Sequence, residues 1–104
     1  MKRDELLQRI QSDNAPLLVD PRSEMEYRRG HIPGAVSAPV RKILFGTAKL
    51  PEDRNREMVI ACMHGQRAWL AKKILALRGY RNMSLLDGWL QEWQRAGLPW
   101  VKET

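Results

Sequence analysis

The chain has 104 residues, of which 43% are hydrophobic and 29% are charged, and its formal net charge is +6. This length and balance predict a single globular domain over residues 1–104 and argue against a disordered chain. No apolar run approaches the roughly 20 residues that span a bilayer, and the first residues contain no uninterrupted apolar stretch. We therefore expect neither a membrane partner nor a signal peptide.

The basic residues are spread along the chain, with 18 Lys and Arg among 12 Asp and Glu. A nucleic-acid interface needs basic residues concentrated together with aromatic ones, and this spread does not favour one. We therefore expect a general positive field that attracts small anions. We do not expect a nucleic-acid partner.

Cys62 is the only cysteine, so the chain cannot form an internal disulfide or a multi-cysteine zinc site. We expect neither a metal nor another cofactor. A lone thiol is typical of a protein in the reducing cytoplasm.

Apolar runs and turn residues alternate along the chain in a way that predicts strands separated by helices. The expected helices comprise residues 4–10, 23–29, 41–45, 66–78 and 88–96. The expected strands comprise residues 17–20, 36–38, 58–61 and 82–86. This alternation predicts an α/β fold with a small parallel sheet that is flanked by helices on both faces.

Three details of the helices follow from local patterns. Ser23 is the expected N-cap of the second helix, and Glu26, three residues later, completes a capping box. Asp87 is expected to cap the last helix. The apolar positions of helix 66–78 are expected to face the core while its basic residues face solvent. These apolar positions are Trp69, Leu70, Ile74 and Leu77.

Cys62 lies on the short loop between the strand at 58–61 and the helix at 66–78. Loop amides and a helix N-terminus favour an anion there, either a thiolate or the group that the sulfur carries. The alternative is an inert core cysteine, since free cysteines are commonly buried. Gly65, which lets the loop curl, and Arg67, a permanent cation, both favour the reactive thiolate.

Five short motifs then follow one another in the order and spacing of one known family. They are Asp20-Pro21-Arg22, Gly30-His31-Ile32-Pro33-Gly34-Ala35, Cys62-Met63-His64-Gly65-Gln66-Arg67, Leu77-Arg78-Gly79-Tyr80 and Leu86-Asp87-Gly88. Together they resemble a single-domain rhodanese, from near Leu17 to Trp100. The resemblance implies a rhodanese-like fold and a sulfurtransferase whose loop cysteine accepts a sulfane sulfur and holds it as a persulfide.

The expected chemistry begins with attack of the Cys62 thiolate on the outer sulfur of a small anionic donor such as thiosulfate. Amides of the following loop stabilise the persulfide anion, and cyanide or an external thiol, including a thiol on a protein, then removes the sulfur. That loop comprises Met63, His64, Gly65, Gln66, Arg67 and Ala68. Since the chain has no second cysteine, the acceptor must be external.

Two other functions stay open. Phosphatases that resemble this broad fold have a loop of the Cys-x5-Arg type, whereas the loop from Cys62 to Arg67 is Cys-x4-Arg. The shorter loop suits one sulfur atom better than three phosphate oxygens. The other alternative is a non-catalytic or sulfur-carrier module that binds a partner protein.

Further residues have open roles. Asp20 and Arg22 are expected to hold neighbouring loops together, with Arg22 a weaker candidate for attracting the donor anion. Trp89 either walls the mouth of the site or packs the last helix on the sheet together with Trp93. The histidines are His31, expected to fix its turn, and His64, which either tunes the thiolate or points to solvent.

Overall fold

The structure is a computed structural model that describes residues 1–103. Its helices are α1 (Arg3–Gln11), α2 (Glu24–Arg29), α3 (Val40–Leu44), α4 (Gln66–Leu77) and α5 (Trp89–Arg95). Its strands are β1 (Leu17–Asp20), β2 (Val36–Ser37), β3 (Met58–Ile60) and β4 (Met83–Leu85). The predicted elements are all present, with ends that differ by at most one residue.

The four strands form one parallel sheet in the order β2-β1-β3-β4. Leu18 pairs with Val59, and Val59 pairs with Ser84, so β3 lies in the middle of the sheet. All three residues of β3 are buried, as expected for a strand that is covered on both faces. The α/β fold with a parallel sheet is therefore confirmed.

The side chains of β3 alternate between two apolar clusters, one on each face of the sheet. Met58 and Ile60 pack with the buried residues of α3 and α4, whereas Val59 packs with Leu6 of α1 and Trp93 of α5. Helices thus cover both faces. No helix in the described residues is long and apolar enough to span a bilayer.

The buried face of α4 differs from our expectation. Its buried residues are Ala68, Ala71 and Leu75, whereas Trp69, Leu70 and Leu77 are exposed. Small alanines let α4 approach the sheet closely, and this geometry turns the larger apolar side chains outwards. The prediction that Trp69, Leu70 and Leu77 face the core is therefore wrong.

Asp20 and Arg22 form a buried ion pair at the carboxyl end of β1. The Arg22 guanidinium donates to both Asp20 carboxylate oxygens, at 2.9 and 2.8 Å, and to the carbonyl of Gly30 at 2.7 Å. Both side chains are at most 4% exposed. The pair therefore connects β1 to the turn after α2. Because the Asp20 carboxylate neutralises the Arg22 guanidinium, Arg22 is unsuited to attracting a donor anion.

The chain ends also differ from expectation. Val101 exchanges two backbone hydrogen bonds of 2.9 Å with His31, an antiparallel bridge that the sequence did not suggest. Asp87 does not cap α5, because Gly88 is the N-cap and no side chain caps it. The Asp87 carboxylate instead lies 3.9 Å from the amino group of Met1.

Replacing Arg22 by Met should cost about 3–5 kcal/mol of unfolding free energy, because Asp20 would remain buried without its partner. Urea unfolding followed by circular dichroism measures this loss. Arg9→Met is the control, since it removes an arginine from a more exposed ion pair with Glu57 and should cost much less. Equal losses in the two variants would contradict the assignment of Arg22 as the connection between β1 and its neighbouring turn.

Candidate active site

The cysteine loop leaves the central strand and enters the longest helix of the fold. β3 ends at Ile60, Cys62 follows two residues later, and α4 begins at Gln66. Gly65 is the N-cap of α4 and has a φ of +100°, a left-handed conformation that favours glycine. The loop therefore reverses sharply enough for the first turn of α4 to face the cysteine.

Two amides of this loop converge on the Cys62 sulfur. The N–H groups of Gly65 and Ala68 donate to Sγ at 3.0 and 3.4 Å. Cys62 is 1% exposed and belongs to the apolar cluster beneath α4. A sulfur that accepts amide hydrogen bonds is stabilised as an anion, while the surrounding apolar side chains keep water away.

Other amides of the loop are left with unused hydrogen-bonding capacity. Within residues 1–103, the N–H groups of Gln66 and Arg67 donate to no protein acceptor. They belong to the first turn of a helix, where amides lack partners within the helix. The loop therefore has further donors for an atom bonded to the Cys62 sulfur.

The first two carbonyl groups of the loop are bound by amides of α5. The carbonyl of Cys62 accepts from the N–H of Leu90 at 3.0 Å, and that of Met63 accepts from Gln91 at 3.3 Å. α5 therefore holds the start of the loop in an orientation that keeps these carbonyl oxygens away from a negatively charged sulfur.

Trp89 covers Gly65 and separates in space from Trp93. A Cβ atom at position 65 would lie 2.5 Å from Cζ2 of Trp89, so any larger residue would collide with the indole. Trp89 packs against the cluster that contains Cys62, whereas Trp93 is fully buried on the other face of the sheet. The two tryptophans therefore pack on opposite faces of the sheet, and Trp89 in addition lies against the cysteine loop at Gly65.

Arg67 binds a carboxylate beside the loop. Its guanidinium donates to both carboxylate oxygens of Glu26 at 2.5 and 2.9 Å. Glu26 is also the N3 residue of the capping box on α2, where its backbone N–H donates to Ser23 Oγ at 3.2 Å. We expected Arg67 to supply a permanent cation on the first turn of α4, and the structure shows that this cation forms an ion pair that joins α4 to α2.

This ion pair changes the titration of both partners. The hydrogen bond from Arg67, with further help from Ser23, lowers the pKa of Glu26 to about 2. The same hydrogen bond raises the pKa of Arg67, and the charge of Cys62 contributes in the same direction. The guanidinium therefore interacts electrostatically with the cysteine although its hydrogen bonds go to Glu26.

The remaining predicted residues lie in different surroundings. His64 and Gln66 are exposed, and Met63 is half-buried. His31 is buried, with Nδ1 2.7 Å from the carbonyl of Tyr27 and its ring stacked on the Tyr27 ring. His31 thus stabilises its turn, and His64 points to solvent.

Two residues near the loop escaped the sequence reasoning. Glu26 was assigned only to a helix cap, and no pattern in the chain connects it with Arg67, 41 residues later. Arg41 lines a surface hollow of about 320 Å³ together with Arg67, Pro39 and Ser23. Glu24 also lines this hollow, so it carries charges of both signs.

A family model described as rhodanese-like domain matches residues 2–96. The chain belongs to the rhodanese-like domain family. One relative of this rhodanese-like domain is a protein of Allochromatium vinosum named sulfurtransferase. It is 36% identical over 98 residues, which cover 94% of this chain and 90% of the relative.

A more distant relative is the thiosulfate:glutathione sulfurtransferase of Saccharomyces cerevisiae, which is 30% identical over 78% of this chain and 66% of its own length. Among solved structures, the Alr3790 protein of Anabaena superposes with a TM-score of 0.85 at 23% identity. That match covers 99% of this chain and 92% of the other, and it confirms the fold.

The rhodanese-like domain should lose stability in acid through the Glu26–Arg67 pair. Because folding lowers the pKa of Glu26, the pair contributes stability above the ordinary pKa of 4.5 and loses it as the pH falls towards about 2. Urea unfolding across this range should show a steeper loss for the wild type than for Glu26→Gln. Glu5→Gln is the control. If the unfolding free energy of Glu26→Gln fell with pH as steeply as that of the wild type, the contribution of the pair would be contradicted.

The same pair should control the reactivity of the Cys62 thiol. Glu26→Gln keeps the shape of the side chain but removes the charge that offsets Arg67, so alkylation by iodoacetamide near neutral pH should become faster. Arg67→Met leaves Glu26 unpaired and should slow alkylation, while the double variant should return towards the wild-type rate. Equal rates in all four proteins would mean that the pair does not influence the sulfur.

Proposed function

We propose that this rhodanese-like domain is a sulfurtransferase that carries sulfur as a persulfide on Cys62. The observation that carries the proposal is the convergence of the Gly65 and Ala68 amides on Sγ at 3.0 and 3.4 Å. A persulfide places its charge one bond beyond Sγ, where the unpaired amides of Gln66 and Arg67 are available to it. The name of the sulfurtransferase relative agrees with this chemistry.

The first step uses a small anion with a sulfane sulfur, of which thiosulfate is the example. The Cys62 thiolate attacks the outer sulfur, a new sulfur–sulfur bond forms, and the original one breaks. Its electron pair leaves with sulfite. The name of the yeast relative includes thiosulfate, which supports an anionic sulfane donor.

In the second step, cyanide or a thiolate attacks the terminal sulfur of the persulfide. The bond to Sγ breaks, thiocyanate or a new persulfide leaves, and the Cys62 thiolate is restored. Cys62 is the single free cysteine among the described residues, so resolution of the persulfide needs an external acceptor. A lone free thiol also supports a place in the reducing cytoplasm.

Incubation with thiosulfate should add the mass of one sulfur atom, and cyanide should remove it with formation of thiocyanate. Intact mass spectrometry and a thiocyanate assay measure the two steps. Cys62→Ser should abolish both, because a serine hydroxyl cannot form the persulfide. Prior alkylation of the wild type provides a control with an unchanged sequence.

The phosphatase alternative is tested with the same proteins. An aryl phosphate should be hydrolysed at no more than the background rate, since the amides converge on one atom and are not spread around three oxygens. Phosphatase turnover that is lost in Cys62→Ser would overturn the sulfurtransferase proposal. Persulfide that forms but passes slowly to cyanide and rapidly to a thiol would instead favour the sulfur-carrier role.

A further inference from the structure

The outward face of α4 has three large apolar side chains with no cover. Trp69, Leu70 and Leu77 are 53%, 49% and 89% exposed. Positions three, four and seven apart lie on the same side of a helix, so the three form one strip along α4. Lys73 is also exposed and lies within the strip. We refer to these four residues as the α4 strip.

The α4 strip begins next to the sulfur-binding amides. Trp69 directly follows Ala68, whose N–H lies 3.4 Å from Sγ of Cys62. The strip then extends along α4 towards its C-terminal end, where Arg78 Nη2 donates to the carbonyl of Leu44 at 2.6 Å. That contact brings the exposed Leu44 and Phe45 to the same end of α4.

Basic residues predominate along the α4 strip. The sequence contains no Asp or Glu from Met58 to Leu86, a segment with five Lys and Arg. Four of these, namely Lys72, Lys73, Arg78 and Arg81, form no ion pair with a carboxylate in residues 1–103. These four side chains therefore differ from Arg67 in lacking a paired carboxylate, although Glu52 lines a hollow together with Arg78.

We propose that the α4 strip docks an acidic polypeptide that carries the acceptor thiol, so that this thiol reaches the sulfur held on Cys62. The proposal rests on the proposed function, to which it adds the class of acceptor. Apolar side chains of the partner would cover Trp69 and Leu77, and its carboxylates would face Lys73 and its basic neighbours. A small docking surface suits a partner that must leave after each transfer.

Charge argues against a second copy of this chain as the occupant. A symmetric pair would bring two α4 strips together, and each is surrounded by unpaired basic residues. The centre of the strip argues against a nucleic acid, because three apolar side chains surround a single lysine where phosphates would need several cations. An acidic polypeptide with apolar residues matches both properties of the strip.

The test uses two synthetic helical peptides, each with one cysteine and several leucines, that differ only in having glutamates or lysines. The protein is loaded with thiosulfate, and the rate of sulfur transfer to each peptide is measured. The rate of transfer to cyanide, a small acceptor, is measured for comparison. The acidic peptide should react about tenfold faster at low ionic strength, and added salt should reduce the difference. Equal rates for the two peptides would overturn the proposal.

Variants locate the docking surface. Lys73→Glu and Leu77→Ser should each slow transfer to the acidic peptide several-fold and leave transfer to cyanide unchanged. Lys2→Glu is the matched control, because it makes the same charge change beside α1, on the opposite side of the sheet. An equal effect of Lys2→Glu would mean that only net charge matters, which would overturn the assignment to the α4 strip.

A binding assay separates this proposal from the proposed function. Peptides with serine in place of cysteine are titrated against the unloaded protein, with tryptophan fluorescence as the readout. Preferential binding of the acidic peptide without any sulfur transfer would leave the docking surface standing and reject the sulfurtransferase. Tighter binding of an oligoribonucleotide, or a dimer in sedimentation that Leu77→Ser disrupts, would overturn the proposal in favour of another occupant.

Discussion

The direction of the peptide groups around Cys62 is the constraint on which the rest of the site depends. A sulfur anion needs amide hydrogens facing it and carbonyl oxygens facing away. The first condition is met by the left-handed Gly65, which brings the first turn of α4 over the sulfur. The second is met by α5, whose amides bind the carbonyls of Cys62 and Met63. Dipoles fixed in this way need no reorganisation when charge develops on the sulfur.

The charged side chains beside Cys62 offset each other, whereas the amide dipoles of the loop create a positive potential at the sulfur. Glu26 offsets the cation of Arg67, while the loop amides remain directed at the sulfur. An unpaired guanidinium would bind any small anion strongly, including the sulfite that must leave after the first step. Pairing with Glu26 weakens the attraction of Arg67 for such anions, and it also joins α2 to α4. The ion pair therefore adjusts the charge beside the sulfur and helps to hold the loop in place.

The sequence was sufficient for most of the fold because local patterns determined it. Short apolar runs became strands, and the Ser23–Glu26 capping box began α2 at the expected residue. The loop cysteine was found because strand, glycine and helix are adjacent in the chain. The partner of Arg67 was not found, since Glu26 lies 41 residues away and its known role as a helix cap gave no sign of a second one.

The errors concerned which side of a helix faces the core. Helical spacing in α4 supports both a strip of large apolar side chains and a strip of alanines, and size alone favours burying the large ones. Close packing against the sheet decides otherwise, because Ala68 and Ala71 allow the backbone of α4 to approach β3. Trp89 and Trp93 separate for a different reason, since Trp89 has a φ of +59° at the start of α5 and its backbone is not helical there. A spacing of four residues then no longer brings the two side chains together.

The close approach of α4 connects the protected sulfur with the exposed helix face. Because Ala68 has a small side chain, its amide reaches the Cys62 sulfur while its neighbour Trp69 remains in solvent. A larger residue at position 68 would move the helix away from the sheet and weaken the amide contact with the sulfur. The packing that stabilises a sulfur anion thus also displays an apolar strip to solvent, and this strip begins one residue after the amide that contacts the sulfur. The amide-bound, buried sulfur and the uncovered strip beside it are two consequences of the small residues through which α4 packs on the sheet.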